Sequence, residues 1–238
     1  MSGDAALPLG YQLRPTDAGL TLIDPEGREI RPDWAQLDIR SGPGRSQKAP
    51  LFRAIASKHQ RLAGLTLLDT TAGWGEDTLL LLAAGCRVIA CERHPVIAQL
   101  LADAARRFAA TDRIPDLDKR LTLLHVDACE LLTGVITPTP LWGSDPDPVT
   151  GIDAALIDPM FPAERKAGER QAMKSLRAVV GDADTDDHRL LEAALEACVP
   201  RVAVKRPRRA ACLGGRTPHH AVVGRGFRFD VYLNLGVA

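Results

Sequence analysis

Asp158, Pro159, Met160, Phe161 and Pro162 follow directly on an apolar run, Asp153 to Ile157. Prolines on either side of Met160 and Phe161 stiffen the backbone there and stop it continuing as strand or helix. An acidic side chain and the Pro159 carbonyl, held in this way, are hydrogen-bond acceptors of fixed direction. They suit the exocyclic amine of a nucleobase, whose lone pair is delocalised into its ring until its hydrogens are held by acceptors. Phe161 offers a face on which a base turned out of its stack can rest. The plainer alternative is a proline-rich strand exit with a core phenylalanine. Asp158, Pro159 and Phe161 are the candidate catalytic residues.

A second constellation lies at Leu65 to Leu79. A short apolar run ends at Asp69, Thr70 to Gly75 are small or permissive residues apart from Trp74, and Glu76 and Asp77 open an apolar segment. This reads as a strand, a nucleotide-binding turn and a helix. Gly73 and Gly75 let the backbone approach a ligand closely, and the helix start points its unpaired amides into the same space. The third glycine of a dinucleotide fingerprint is missing, since Thr78 stands there, and two carboxylates oppose a pyrophosphate at the helix start. The pattern favours a cofactor without phosphate.

Two further carboxylates follow at predicted strand ends. Glu92 closes the run Arg87 to Cys91 and is placed to accept hydrogen bonds from the hydroxyls of a ribose. Asp127 follows Leu121 to Val126 and could receive the amino group of an adenine. Glu92 could also be an ordinary surface carboxylate at a strand end.

Positive charge is unevenly spread. The chain has 30 basic and 30 acidic residues in 238, which argues against bulk electrostatic coating of nucleic acid. Yet Arg201 to Phe229 holds eight Lys or Arg, among them Lys205, Arg206, Arg208 and Arg209, and no Asp or Glu. Such a one-sign stretch near strand ends is a docking face for RNA phosphates, or a merely soluble basic loop. Arg45 and Lys48 sit in the loop Arg40 to Pro50, which is either a solvated linker or a second phosphate contact.

Positioning these groups requires a strand, helix, strand rhythm, hence an α/β fold with a mostly parallel twisted sheet. The spacing predicts helices over Pro50 to Gln60, Asp77 to Ala84, Pro95 to Ala110, Glu164 to Val180 and Leu190 to Cys198. Strands are predicted at Leu65 to Leu68, Arg87 to Cys91, Leu121 to Val126, Asp153 to Ile157 and Arg201 to Val204, with a closing antiparallel hairpin, Ala221 to Val223 and Phe227 to Leu233. Thr137 to Gly151, with four prolines, reads as a long surface loop. Residues 1–40 read as a small β-rich appendage and 41–238 as the main domain.

Five scattered cysteines without a CxxC pair, and a start neither basic nor apolar, are features of a reduced, cytoplasmic protein. No apolar run approaches the ~18 residues a membrane span needs. The histidines lack partners at ligand spacing, so a metal site is not expected.

Together these residues resemble the Rossmann-like class I methyltransferases that use S-adenosylmethionine. More narrowly, the chain is similar to the bacterial ribosomal RNA small subunit methyltransferase J family, which methylates the N2 amine of a guanine in 16S ribosomal RNA. The pieces that carry the likeness are Asp69 to Asp77, Gly85 to Pro95, Ile157 to Pro162, Val204 to Pro207 and Thr217 to Tyr232. The resemblance implies S-adenosylmethionine as cofactor, 16S ribosomal RNA or the small ribosomal subunit as partner, and cofactor contacts at Glu76, Asp77, Glu92, Arg93, Asp127, Ala128 and Asp158. The family commonly has a basic residue where Glu76 stands and small hydroxyl residues where Asp127 and Ala128 stand. Methylation of another planar amine, adenine N6 or a protein amide, and a non-catalytic RNA-binding module are the competing expectations.

Overall fold

A computed structural model describes residues 7–39, 49–159 (except 145–150), 171–181 and 187–234. The N-terminal part is an antiparallel sheet of β1 (Gln12–Thr16), β2 (Gly19–Ile23) and β3 (Glu29–Ile30), followed by a 3-10 turn at Trp34–Gln36. The main body alternates α1 (Pro50–Ile55), β4 (Thr66–Asp69), α2 (Glu76–Ala83), β5 (Arg87–Glu92), α3 (Pro95–Ala109), α4 (Leu117–Arg120), β6 (Leu121–His125) and α5 (Ala128–Leu132). It continues with β7 (Trp142–Gly143), β8 (Ala154–Ile157), α6 (Gln171–Val180), α7 (Asp187–Glu196), β9 (Arg201–Pro207), β10 (His220–Val223) and β11 (Phe227–Leu233).

One eight-stranded sheet has the order β10-β11-β9-β8-β4-β5-β6-β7. The five central strands β9, β8, β4, β5 and β6 are parallel, while β11 runs against β9, β10 against β11, and β7 against β6. Side chains alternate between the two faces, as period-2 geometry demands. Leu67, Val88, Ala90, Leu123 and Leu156 join the core under α1, α2 and α3, whereas Leu68, Ile89, Cys91, Leu124 and Ile157 join the core under α5 and α7. Both faces are covered, which is why the central strands read as continuous apolar runs.

The N-terminal sheet is fastened to α3. Asp103 accepts the Leu20 N–H at 3.0 Å, Arg107 donates to the Pro32 carbonyl at 2.8 Å, and Leu22 and Ile30 pack with Val96, Ile97 and Leu100. Arg113 continues the clasp, donating to the carbonyls of Ala35 and Leu37.

Three expectations need correction. The helix from Pro50 ends at Ile55, because Ala56 is extended and Ser57 to Gln60 closes a local turn in which the Gln60 side chain accepts the Ser57 N–H. Within the proline-rich loop, Trp142–Gly143 pairs with β6, so part of that loop is an edge strand. The fifth parallel strand runs to Pro207, three residues beyond Val204, because β11 pairs along its whole length.

Candidate active site

The carboxyl ends of β8, β4 and β5 converge on one turn. Thr70 donates both its N–H and its hydroxyl to the Leu156 carbonyl, at 3.0 and 2.8 Å, while Thr71 Oγ1 accepts the Asp158 N–H at 2.9 Å. On the other side the Ala72 N–H reaches the Cys91 carbonyl at 2.9 Å, and the Gly73 N–H reaches Glu92 Oε2 at 2.9 Å. A turn built on small residues can be laced to both neighbours in this way.

Beside this turn opens a crevice of about 530 Å³. Asp69, Gly73, Gly75, Glu76, Asp77, Glu92, Arg93, Asp127, Ala128, Asp158 and Pro159 all line it, so the strand-end residues singled out in the sequence meet around one space. Phe161, Arg45 and Lys48 lie outside the described residues. The crevice has the position ligands take in open α/β sheets, beyond the carboxyl ends of the strands.

Asp69 is 2% exposed, and its Oδ2 accepts the Thr78 hydroxyl at 2.5 Å. Burial raises its pKa to about 7, against the lowering effect of the Thr78 bond. Glu92, also buried, accepts the His94 N–H on Oε1 at 2.7 Å as well as Gly73 on Oε2. Burial still carries its pKa above the ordinary value. Asp127 caps α5, its Oδ1 accepting the Cys129 N–H at 2.8 Å, which leaves Ala128 in the first turn of that helix. Glu76 is exposed and Asp77 half-buried in the first turn of α2, where their charge complements the helix dipole.

The basic segment divides into distinct roles. Lys205, expected on the RNA-facing surface, points into the crevice: its Nζ lies 2.7 Å from Asp158 Oδ2 and 3.1 Å from Asp77 Oδ2. Arg228 is held bidentately by the buried Asp230, at 2.6 and 3.0 Å, and braces the start of the loop after β9 through the carbonyls of Pro207 and Arg208. Arg206 shapes the same loop, donating twice to the Ala211 carbonyl. Arg208 and Arg209 are exposed at the carboxyl end of β9, and the β10–β11 turn carries exposed Arg225 to the same edge, where Arg208 N–H meets the Gly226 carbonyl.

Several contributors have no signature in the sequence. Thr71 fixes the Asp158 backbone from 87 positions away. Arg177 of α6 and Arg189 of α7 bring positive charge to the crevice wall. Charged residues on a helix look the same whether they face a ligand or solvent.

Comparison with known proteins agrees with this geometry. The family "Putative SAM-dependent methyltransferase" matches residues 14–234. The ribosomal RNA small subunit methyltransferase J of Alkalilimnicola ehrlichii is 36% identical over 224 residues, covering 91% of this chain and 80% of the relative. That of Hahella chejuensis is 40% identical over 169 residues, 71% of this chain and 58% of the relative, so the aligned part is less than two thirds of that protein. Among solved structures, the SAM-dependent methyltransferase NGO1261 of Neisseria gonorrhoeae superposes with a TM-score of 0.69 at 28% identity, covering 98% of this chain and 87% of that one. With the crevice at the expected strand ends and sequence likeness along nearly the whole chain, this protein belongs to the ribosomal RNA small subunit methyltransferase J family of SAM-dependent methyltransferases.

Proposed function

We propose that the protein transfers a methyl group from S-adenosylmethionine to the exocyclic N2 amine of a guanine in 16S ribosomal RNA. The observation that carries this reading is the junction at which Thr71 holds the Asp158 backbone, bringing an acidic acceptor into the same crevice as the glycine turn and Glu92.

The residues fit the cofactor. Gly73 lines the crevice, and a Cβ there would meet nothing nearer than Leu176 at 3.8 Å, so the turn leaves room for a ligand against its backbone. Glu92, pinned by two backbone amides, presents a carboxylate of fixed direction for ribose hydroxyls. Asp69 supports the turn through Thr78, and Ala128 and Cys129 at the start of α5 line the wall beside Asp127. When bound, S-adenosylmethionine supplies an electrophilic methyl group on a sulfonium.

The chain's own contribution is orientation. Asp158 and the Pro159 carbonyl accept the N–H bonds of the amine, directing its lone pair, and the Asp158 carboxylate can take the proton that the nitrogen must shed. Orientation of this kind can supply roughly 7 to 11 kcal/mol. The exposed Arg208 and Arg209 at the carboxyl end of β9, and Arg225 in the β10–β11 turn, suit the phosphates of the RNA.

The test uses small-subunit RNA from a strain lacking the enzyme. Labelled methyl should enter RNA at one guanine and not protein. Asp158→Ala should fold and lose the transfer by on the order of a hundredfold. Label appearing in protein, on adenine, or at an undiminished rate with Asp158→Ala would refute the reading.

A further inference from the structure

Lys205 arises from β9, Asp158 from the end of β8 and Asp77 from the first turn of α2, yet one ammonium joins both carboxylates. Nζ also lies 5.8 Å from the centre of the Phe227 ring on β11. We propose that Lys205 is a positioning residue that aims the Asp158 carboxylate and supplies its counter-charge for its task of holding the amine. This rests on the reading of Asp158 given above.

The local balance of charge supports it. Two carboxylates share one ammonium, and Asp69 from β4 adds a third acidic group to the neighbourhood. The other charged residues lining the crevice are Glu76 of α2, Glu92 and Arg93 at the end of β5, Asp127 and Glu130 at the start of α5, Arg177 of α6, and Asp187 and Arg189 of α7. Burial and the repulsion of Asp77 push the Asp158 pKa upward, and the Lys205 charge is the influence pulling it back. On Lys205 itself burial opposes the charge, but the two carboxylates outweigh it and its pKa rises. Its ammonium is therefore held firmly, as a fixed partner rather than a proton donor.

The geometry also separates this lysine from its neighbours in the basic segment. A lysine serving RNA phosphate would extend into solvent, as Arg208 and Arg209 do. Lys205 instead spans the helix that follows the glycine turn and the strand that carries the amine acceptor, so it ties the two halves of the site together.

The experiment compares Lys205→Met, Lys205→Arg, Asp158→Asn and the double variant Lys205→Met/Asp158→Asn. The Asp158 carboxyl is titrated by carbon NMR in the protein without RNA and identified by its loss in Asp158→Asn. Methyl transfer is timed across pH on small-subunit RNA. In Lys205→Met the carboxyl should titrate at higher pH, and the acid limb of the rate profile should follow it. The neutral-pH rate should fall roughly 10- to 100-fold. Lys205→Arg, which keeps the charge, should restore part of both, and adding Lys205→Met to Asp158→Asn should cost little more.

An unmoved carboxyl titration in Lys205→Met, or full additivity in the double variant, would overturn the inference with the methyl-transfer reading intact. Should Lys205→Met fail to fold, Lys205→Gln takes its place. A wild-type rate in Asp158→Asn is a different failure: it removes Asp158 from the chemistry, and the role of Lys205 with it.

Discussion

The indole Nε1–H of Trp34 donates to the carbonyl of Trp74 at 2.9 Å, joining the N-terminal part of the chain to the glycine turn across 40 positions. Trp34 is 1% exposed and meets Phe108 of α3 edge-on, with ring centres 5.9 Å apart. Trp34→Phe keeps most of the buried ring but removes this hydrogen bond to the Trp74 carbonyl. Stability to urea should fall by about 1 kcal/mol, and calorimetry should find weaker S-adenosylmethionine binding. Undiminished affinity would mean the turn stands without this prop.

The two glycines of the turn should fail differently. Gly75 has φ +74°, and a Cβ there would lie 2.5 Å from Trp34 Cζ2 and 2.6 Å from Leu101 Cδ1. Gly75→Ala therefore overpacks a closed core and should cost roughly 1 to 3 kcal/mol beyond its backbone strain. Gly73, with φ +52°, has no such neighbour, so Gly73→Ala should lose less stability and more cofactor affinity. Melting curves and calorimetry on the pair distinguish the two effects, and equal losses in both would contradict the geometry.

Asp69 makes stability depend on pH in an unusual direction. Its pKa rises from 3.8 to about 7 through burial, so between those values the folded protein holds a proton that the unfolded chain releases. The folded state binds more protons there, and stability falls as pH rises through that window. Asp69→Asn removes this contribution while retaining an acceptor for Thr78. From pH 4 to pH 7 the wild type should lose on the order of 1 to 3 kcal/mol more than the variant. Urea unfolding at several pH values measures the gap, and parallel curves would show that Asp69 is ionised in the fold.

Exposed Arg208 and Arg209 should contribute to RNA affinity through charge. Replacing both with Ala should weaken binding and lower the slope of log affinity against log salt by about 0.7 for each phosphate left without its cation. Cofactor affinity should stay as it was. An unchanged slope would remove these arginines from the RNA surface.

How much of this was legible in the sequence depends on the distance between partners. The strand, turn and helix around Asp69 to Asp77 are local, and the pattern of apolar run, glycines and acidic helix start places them within a residue of their observed bounds. Helix α5 spans five residues, too few for periodicity to reveal, and its mark is the Asp127 cap. Lys205 reads as surface charge among basic neighbours, because the carboxylates that claim it lie 47 and 128 positions away. Trp34 lies 40 positions before its partner, and its importance comes from a bond to the turn that no local pattern encodes.

The stitching of β4 to β8 by Thr70 and Thr71 sets a fixed spacing between the glycine turn and Asp158, the acid proposed to hold the acceptor. That spacing is written in bonds to the main chain at two strand ends, whereas on the proposed reading contact with the RNA falls to the exposed arginines after β9 and in the β10–β11 turn. These arginines and that spacing can consequently diverge at different rates: new recognition can be grafted on without retuning the reaction distance, while a change as small as Thr71→Val would disturb transfer to every target alike.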